Sequence, residues 1–365
     1  MATAVYLHVG LPKTGTTFVQ SIAWEHRAEL RERGLLLPGF GPREHLWASC
    51  AVRQESRLER RHADAPGAWS RLASELRDWP GRGLITHEFF AGASTEQVGR
   101  AVGDLGDADV HLIITVREIV ALVTGMWQEW VKNGATGDLD HYPPRDDHRP
   151  QDEWGWASLD LGGVLSRWAP HVRPEHVHVI CPPESDDPMA LWQAYAELLD
   201  VGDVAVSEDD ARANESLGLV SVELLRRVNG HLRFDRPVDR GVWTRSFLAA
   251  DTLAPHGGER YWPSPERVAT LRARGEAGLR ALADGGYDVI GSPESLQTPD
   301  PLPERRHPAG VTDAELLDEA ARTIADLVLR ARADASETVS TAEPGSRPGS
   351  TFARRAARRV FPTRR

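Results

Sequence analysis

Val5-Tyr6-Leu7-His8-Val9-Gly10-Leu11-Pro12-Lys13-Thr14-Gly15-Thr16-Thr17 changes character twice within thirteen residues. Residues 5–9 form an apolar run rich in β-branched side chains, which predicts a buried strand. Gly10, Pro12 and Gly15 break that run, and from Thr16 onward Phe18, Ile22 and Leu30 recur at helical spacing. Strand, glycine-bearing turn and helix together make an anion cradle. The turn directs successive backbone N–H groups inward, and the positive end of the helix dipole faces the same point. Lys13 adds a full positive charge, and Thr14, Thr16 and Thr17 add hydroxyl donors.

Gly10 and Gly15 have the separation of the two glycines in the phosphate-binding motif G-x-x-x-x-G-K-[ST]. Thr16 stands where that motif has its lysine, and Lys13 lies two residues before Gly15. The stretch is therefore a P-loop relative with a displaced lysine. Among 43 lysines and arginines only Lys13 and Lys132 are lysines. An ammonium kept in this turn points to a compact, mobile charge where a planar guanidinium would not serve.

Outward from the loop, short apolar runs at 35–37, 83–86, 110–116 and 177–180 predict further strands. Helical spacing marks 16–33, part of 45–61, 69–79, 95–102 and 119–132. Alternating strands and helices imply a parallel sheet with covered faces, whose ligands sit beyond the carboxyl ends of the strands. His87, Glu88 and Arg117 follow strand ends directly, as the Lys13 loop does. Residues 134–161 read as a long irregular section, and loops of that length are usually functional. From 189 to about 333 the sequence reads as mainly helical, with a helix start at Asn214-Glu215-Ser216.

Beyond Ala333 the composition turns to Ser, Thr, Pro, Gly and Arg, so residues 334–365 read as a disordered, Arg-rich tail and 1–333 as one α/β domain. The net charge is −11, divided into about +4 on the tail and −15 on the remainder. That balance argues against nonspecific nucleic-acid binding by the whole chain. Residues 352–361 read as a solubilising segment, or as a short basic amphipathic helix making weak contact with an anionic membrane surface. No run is long and apolar enough to span a membrane, and no signal peptide is evident at the amino terminus. Two cysteines, Cys50 and Cys181, are too few for a disulfide framework or a zinc site, which suggests a reducing cytoplasm.

Leu11-Pro12-Lys13-Thr14-Gly15-Thr16-Thr17 resembles the 5′-phosphosulfate loop of the sulfotransferases that use 3′-phosphoadenosine 5′-phosphosulfate (PAPS), in particular bacterial, actinobacterial-type members. The resemblance extends to Trp127-Gln128-Glu129-Trp130-Val131-Lys132, to Asn214-Glu215-Ser216-Leu217-Gly218 and to Arg226-Arg227-Val228-Asn229. It implies a P-loop-type α/β fold and transfer of a sulfuryl group from PAPS to a hydroxyl or amine, leaving PAP, without a metal. By the resemblance Lys13 neutralises the bridging oxygen, and Pro12, Thr14, Gly15, Thr16 and Thr17 hold the 5′-phosphate. Arg117 binds the 3′-phosphate in a second cationic pocket. The family's serine eight residues after that arginine is absent, because Gly125 occupies the position, and Thr124 is the nearest substitute.

Thr86-His87-Glu88 resembles a strand-end base motif. Glu88 is the expected base, with its pKa raised by enclosure, and His87 is the alternative. His45 and Trp47 are candidates for the acceptor pocket. The acceptor itself, whether small molecule, carbohydrate or lipid, sits in variable loops and is not legible. Two other readings remain open at this stage, an ATP–Mg-dependent small-molecule kinase and a non-catalytic nucleotide-binding or scaffold homologue.

Overall fold

The computed structural model describes residues 1–144, 154–182, 189–202, 204, 206, 216–234 and 237–341. In chain order the elements are β1 (Ala4–Gly10), α1 (Thr16–Glu25), α2 (Arg27–Glu32), β2 (Leu35–Leu36), α3 (Pro42–Val52), α4 (Ala68–Asp78), β3 (Arg82–Thr86) and α5 (Thr95–Asp104). There follow β4 (Asp109–Thr115), α6 (Ile119–Lys132), α7 (Trp156–Leu159), α8 (Leu161–Trp168), β5 (Val177–Ile180) and α9 (Ala190–Leu198). The remainder is α10 (Leu219–Asn229), α11 (Pro237–Asp239) leading into a π-helix (Arg240–Leu253), α12 (Pro265–Asp284), β6 (Asp288–Ile290) and α13 (Asp313–Thr341).

These fall into two compact units. The first comprises Met1–Met126, Pro143–Asn214 and Pro265–Leu302, and the second Trp127–Tyr142, Glu215–Ser264 and Pro303–Arg365. All six strands belong to the first unit and form one parallel sheet in the order β2-β3-β1-β4-β5-β6, flanked by helices. Every residue of β1 from Val5 to Gly10 is buried, as a parallel sheet covered on both faces requires. On one face Tyr6, Leu84, Ile113 and Ile180 pack with Val19 and Ile22 of α1 and with Trp192 and Tyr195 of α9. The regular elements of the second unit are helices among its described residues, joined by loops that carry one isolated β-bridge, Tyr261 to Arg306. No described helix is long and apolar enough to cross a membrane.

The strand order places the ligand-binding edge. The chain leaves β1 toward β2 on one side, and β4, on the other side of β1, leads on to β5. Connections that diverge in this way open a crevice at the carboxyl end of β1, where parallel sheets bind ligands.

The structure departs from the sequence-based expectations in four places. The single helix expected over 16–33 is two, α1 and α2, broken at His26, whose φ of −91° and ψ of 15° leave the helical range. The carboxyl-terminal portion, read as mainly helical, also contributes the edge strand β6, three residues long and so too short for a periodicity to register. The section 134–161 contains α7 and buries Leu139, Tyr142 and Trp156. Helix α13 runs to Thr341, eight residues into the segment read as tail, carried by the good helix former alanine at 331, 333 and 335. The basic segment 352–361, and Asn214 and Glu215 of the expected helix start, lie outside the described residues.

Candidate functional site

The loop after β1 is shaped by its backbone. Gly10 and Gly15 have φ of 109° and 89°, and Lys13 itself sits in the left-handed region at φ 60°. Space is tight at both glycines as well, against backbone at 10 and against a side-chain methyl at 15. A Cβ on Gly10 would lie 3.0 Å from the Glu88 carbonyl oxygen, and one on Gly15 would run into Leu191 of α9. Gly15 is the N-cap of α1, and it supplies no side-chain cap. The first turn of α1 carries no acidic residue, so an anion is the complement its dipole lacks.

A directional hydrogen-bond chain ties this loop to the sheet. Thr14 Oγ1 donates to the Leu11 carbonyl at 2.6 Å and so has no proton left for Thr115 Oγ1, also 2.6 Å away. Thr115 therefore donates to Thr14, and His8 Nε2–H donates to Thr115 at 3.2 Å. His8 Nδ1 is then the acceptor of the Thr86 hydroxyl at 2.7 Å. His8, fully buried, is thus fixed as the neutral Nε2–H tautomer, and burial lowers its pKa to about 3. This relay across β3, β1 and β4 was not anticipated from the sequence. Its signal was the one imidazole inside an otherwise apolar strand.

Lys13, Thr14 and Gly15 line a cavity of about 250 Å³ with Val116, Arg117, Ile180, Pro182 and Leu191. Arg117 Nη1 donates to the Lys13 carbonyl at 3.1 Å, so the second cation braces the loop. Arg117 lines this cavity with Lys13 and also lines a second, narrower one with Leu11, Ile119 and Arg274. Two cationic residues, Lys13 and Arg117, and the helix-capping Gly15 line the first cavity, and no carboxylate is among its described lining residues. Pro12 and Thr16 are buried beside it, and Thr17 is exposed.

Gly125 of α6 also faces the loop. Its missing Cβ would lie 3.6 Å from Lys13 Cε, so the space a serine would fill is beside the lysine stem. Thr124 does not substitute. Its hydroxyl is buried, without a hydrogen-bond partner, and outside the cavity lining.

Glu88 begins the 3₁₀ helix Glu88–Gly92, packed against Gly10. Its Oε2 accepts from Gln20 Nε2 of α1 at 3.1 Å and lies 3.9 Å from His87 Nδ1. Burial alone would raise its pKa, but His87, its own backbone N–H, Gln20 and His8 outweigh that and lower it. The expectation of a raised pKa is therefore corrected: the neighbouring His87 imidazole and the hydrogen bonds from the Glu88 backbone N–H and from Gln20 favour the charged form. His87 N-caps the same turn, with Nδ1 accepting from the Phe89 N–H at 3.1 Å. In its neutral form His87 thus carries its proton on Nε2, and its one lone pair is already engaged.

His45 and Trp47 lie outside this arrangement. His45 is fully buried, its Nε2 donating to the Pro38 carbonyl at 2.9 Å and its Nδ1 accepting from the Thr86 N–H at 3.1 Å. Burial lowers its pKa to about 4, and its role is to brace the end of β3. Trp47 stacks on His62 with ring centroids 4.5 Å apart. No family model, no curated protein and no solved structure matches the chain.

Proposed function

We propose that the protein is a sulfotransferase that moves a sulfuryl group from PAPS to a hydroxyl or amine of a small-molecule, carbohydrate or lipid acceptor. The observation that carries this reading is the cavity at the carboxyl end of β1, where Lys13 and Arg117 meet with no carboxylate among the described lining residues. That donor set suits a phosphate–sulfate anhydride. PAPS supplies the activated sulfuryl group. In this reading the Thr16 and Thr17 N–H groups orient the 5′-phosphate, the Thr14 hydroxyl holds the loop through the Leu11 carbonyl, and Arg117 adds charge while holding the Lys13 carbonyl. Lys13, a point charge on a flexible stem, neutralises the bridging oxygen as the sulfur–oxygen bond to PAP breaks and the bond to the acceptor forms. Glu88, ionised and oriented by Gln20, accepts the acceptor's proton. Both cysteines are free and buried, in keeping with a cytoplasmic enzyme.

Gly125 favours one second reading, a binding protein that retains the nucleotide cradle without turnover. Calorimetric titration with PAP, beside ATP plus magnesium, on wild type, Lys13→Ala and Arg117→Ala tests these readings. Micromolar PAP binding without magnesium, lost in Lys13→Ala, is the expected result. Binding of ATP alone would make the protein a kinase, and binding of neither would remove the enzyme reading.

A further inference from the structure

The amino ends of the same strands carry a second constellation. Asp109 and His111 lie at the start of β4, His176 ends the 3₁₀ turn Pro174–His176 before β5, His178 belongs to β5, and Asp288 opens β6. The Asp288 carboxylate can only accept, so His178 Nδ1–H donates to it at 2.7 Å. His178 Nε2 is then a lone pair, and His111 Nδ1–H donates to it at 2.8 Å. The remaining lone pair of His111 is therefore on Nε2, facing Asp109 Oδ2 at 3.8 Å. Lone pair against carboxylate is an unfavourable pairing that an intervening cation would turn into two bonds. His176 Nδ1 lies 3.0 Å from Asp109 Oδ1, and ligand atoms of Asp109, His111 and His176 all fall within 4.8 Å of one another.

We propose that Asp109, His111 and His176 bind a divalent transition-metal ion of the zinc class, with His178 and Asp288 as the partners that orient His111. Two imidazoles and a carboxylate are a zinc donor set, and a ligating histidine commonly gives its other N–H to a partner that fixes its tautomer. The group now facing these ligands is Arg173. Its Nη2 reaches both Asp109 oxygens at 2.9 Å and His176 at 2.9 Å (Nε2) and 3.2 Å (Nδ1). Arg173 is 59% exposed, and a solvent-exposed ion pair is a weak competitor for a metal. The His176 ring, stacked on His111 at 3.9 Å, turns out of that stack to ligate, which its position on a short turn permits.

The test strips the full-length protein with a chelator and titrates it with Zn²⁺ by calorimetry, with Co²⁺ absorption reporting the ligand set. One equivalent is expected for wild type and for the control His307→Gln, which removes a separate acid–histidine group of Asp138, Asp140 and His307. His111→Gln with His176→Gln loses that equivalent, and Asp288→Asn weakens it by about 10–100-fold through His178. Arg173→Ala tightens it, an outcome that a purely structural cluster would not give. Should the histidine variants fail to fold, the exposed Arg173→Ala and Asp288→Asn changes still decide the question. Wild type taking up no zinc, an equivalent retained without both histidines, or weaker binding in Arg173→Ala would overturn the proposal.

Discussion

His8 holds the neutral state in which it donates to Thr115 and accepts from Thr86, and His45 is likewise committed to two backbone groups. Both have pKa values lowered by burial, to about 3 and about 4. The unfolded chain therefore binds protons that the folded chain refuses between pH 6.5 and those values. Their contribution to stability is intact above pH 6.5 and is lost as pH falls, with a slope approaching about 1.4 kcal/mol per pH unit for each histidine. Denaturant unfolding followed from pH 7 to pH 4 should show this fall, and His45→Gln should make it shallower. Glu88 gives a separate expectation. Glu88→Gln keeps the Gln20 contact in reach, so PAP affinity should hold while sulfuryl transfer drops about 10²–10⁴-fold. Equal losses of binding and turnover would instead place Glu88 in the donor site. At position 10 the backbone decides: Gly10→Ala puts a Cβ at φ 109° and 3.0 Å from the Glu88 carbonyl, and should destabilise by about 1–3 kcal/mol in chemical denaturation.

Helix α5 shows how an element announces itself. Ser94 Oγ accepts from the Gln97 N–H at 3.3 Å while Gln97 Oε1 accepts from the Ser94 N–H at 2.9 Å, a reciprocal capping box. Ser94→Ala should cost about 1 kcal/mol of stability, measured by the shift in urea midpoint at unchanged slope. Such signals are local, and elements built from local signals were legible. The strand over 177–180 and the helix over 119–132 match β5 and α6 residue for residue. The strand–turn–helix around Gly10 to Thr16 was legible for the same reason. Features set by neighbours distant in sequence were not. Strand β6 exists because His178, Val179 and Ile180 offer it an edge. The Glu88 carboxylate is held by Gln20, sixty-eight positions away, and the state of His8 depends on Thr86 and Thr115. His45 and Trp47 looked like pocket residues because polar and aromatic types near a loop suggest binding, whereas here they satisfy backbone groups and pack.

At the scale of the whole molecule, ligand binding should register as stability. PAP at about 100 times its dissociation constant should add about 2.7 kcal/mol to the unfolding free energy of the sheet-bearing unit. Calorimetric melts with and without PAP, on wild type and Lys13→Ala, would show the gain only in the former. The near-absence of lysine gives the molecule a further property. Lys132 is 6% exposed and paired with Glu129 at 3.4 Å, whereas Lys13 stands at the mouth of its cavity, partly open to solvent. Of two ε-amines, one is shielded and the other marks the site. An acylating reagent applied to the folded protein will therefore place its side-chain adduct on Lys13, and peptide mass mapping will read occupancy of the cradle as protection of a single amine.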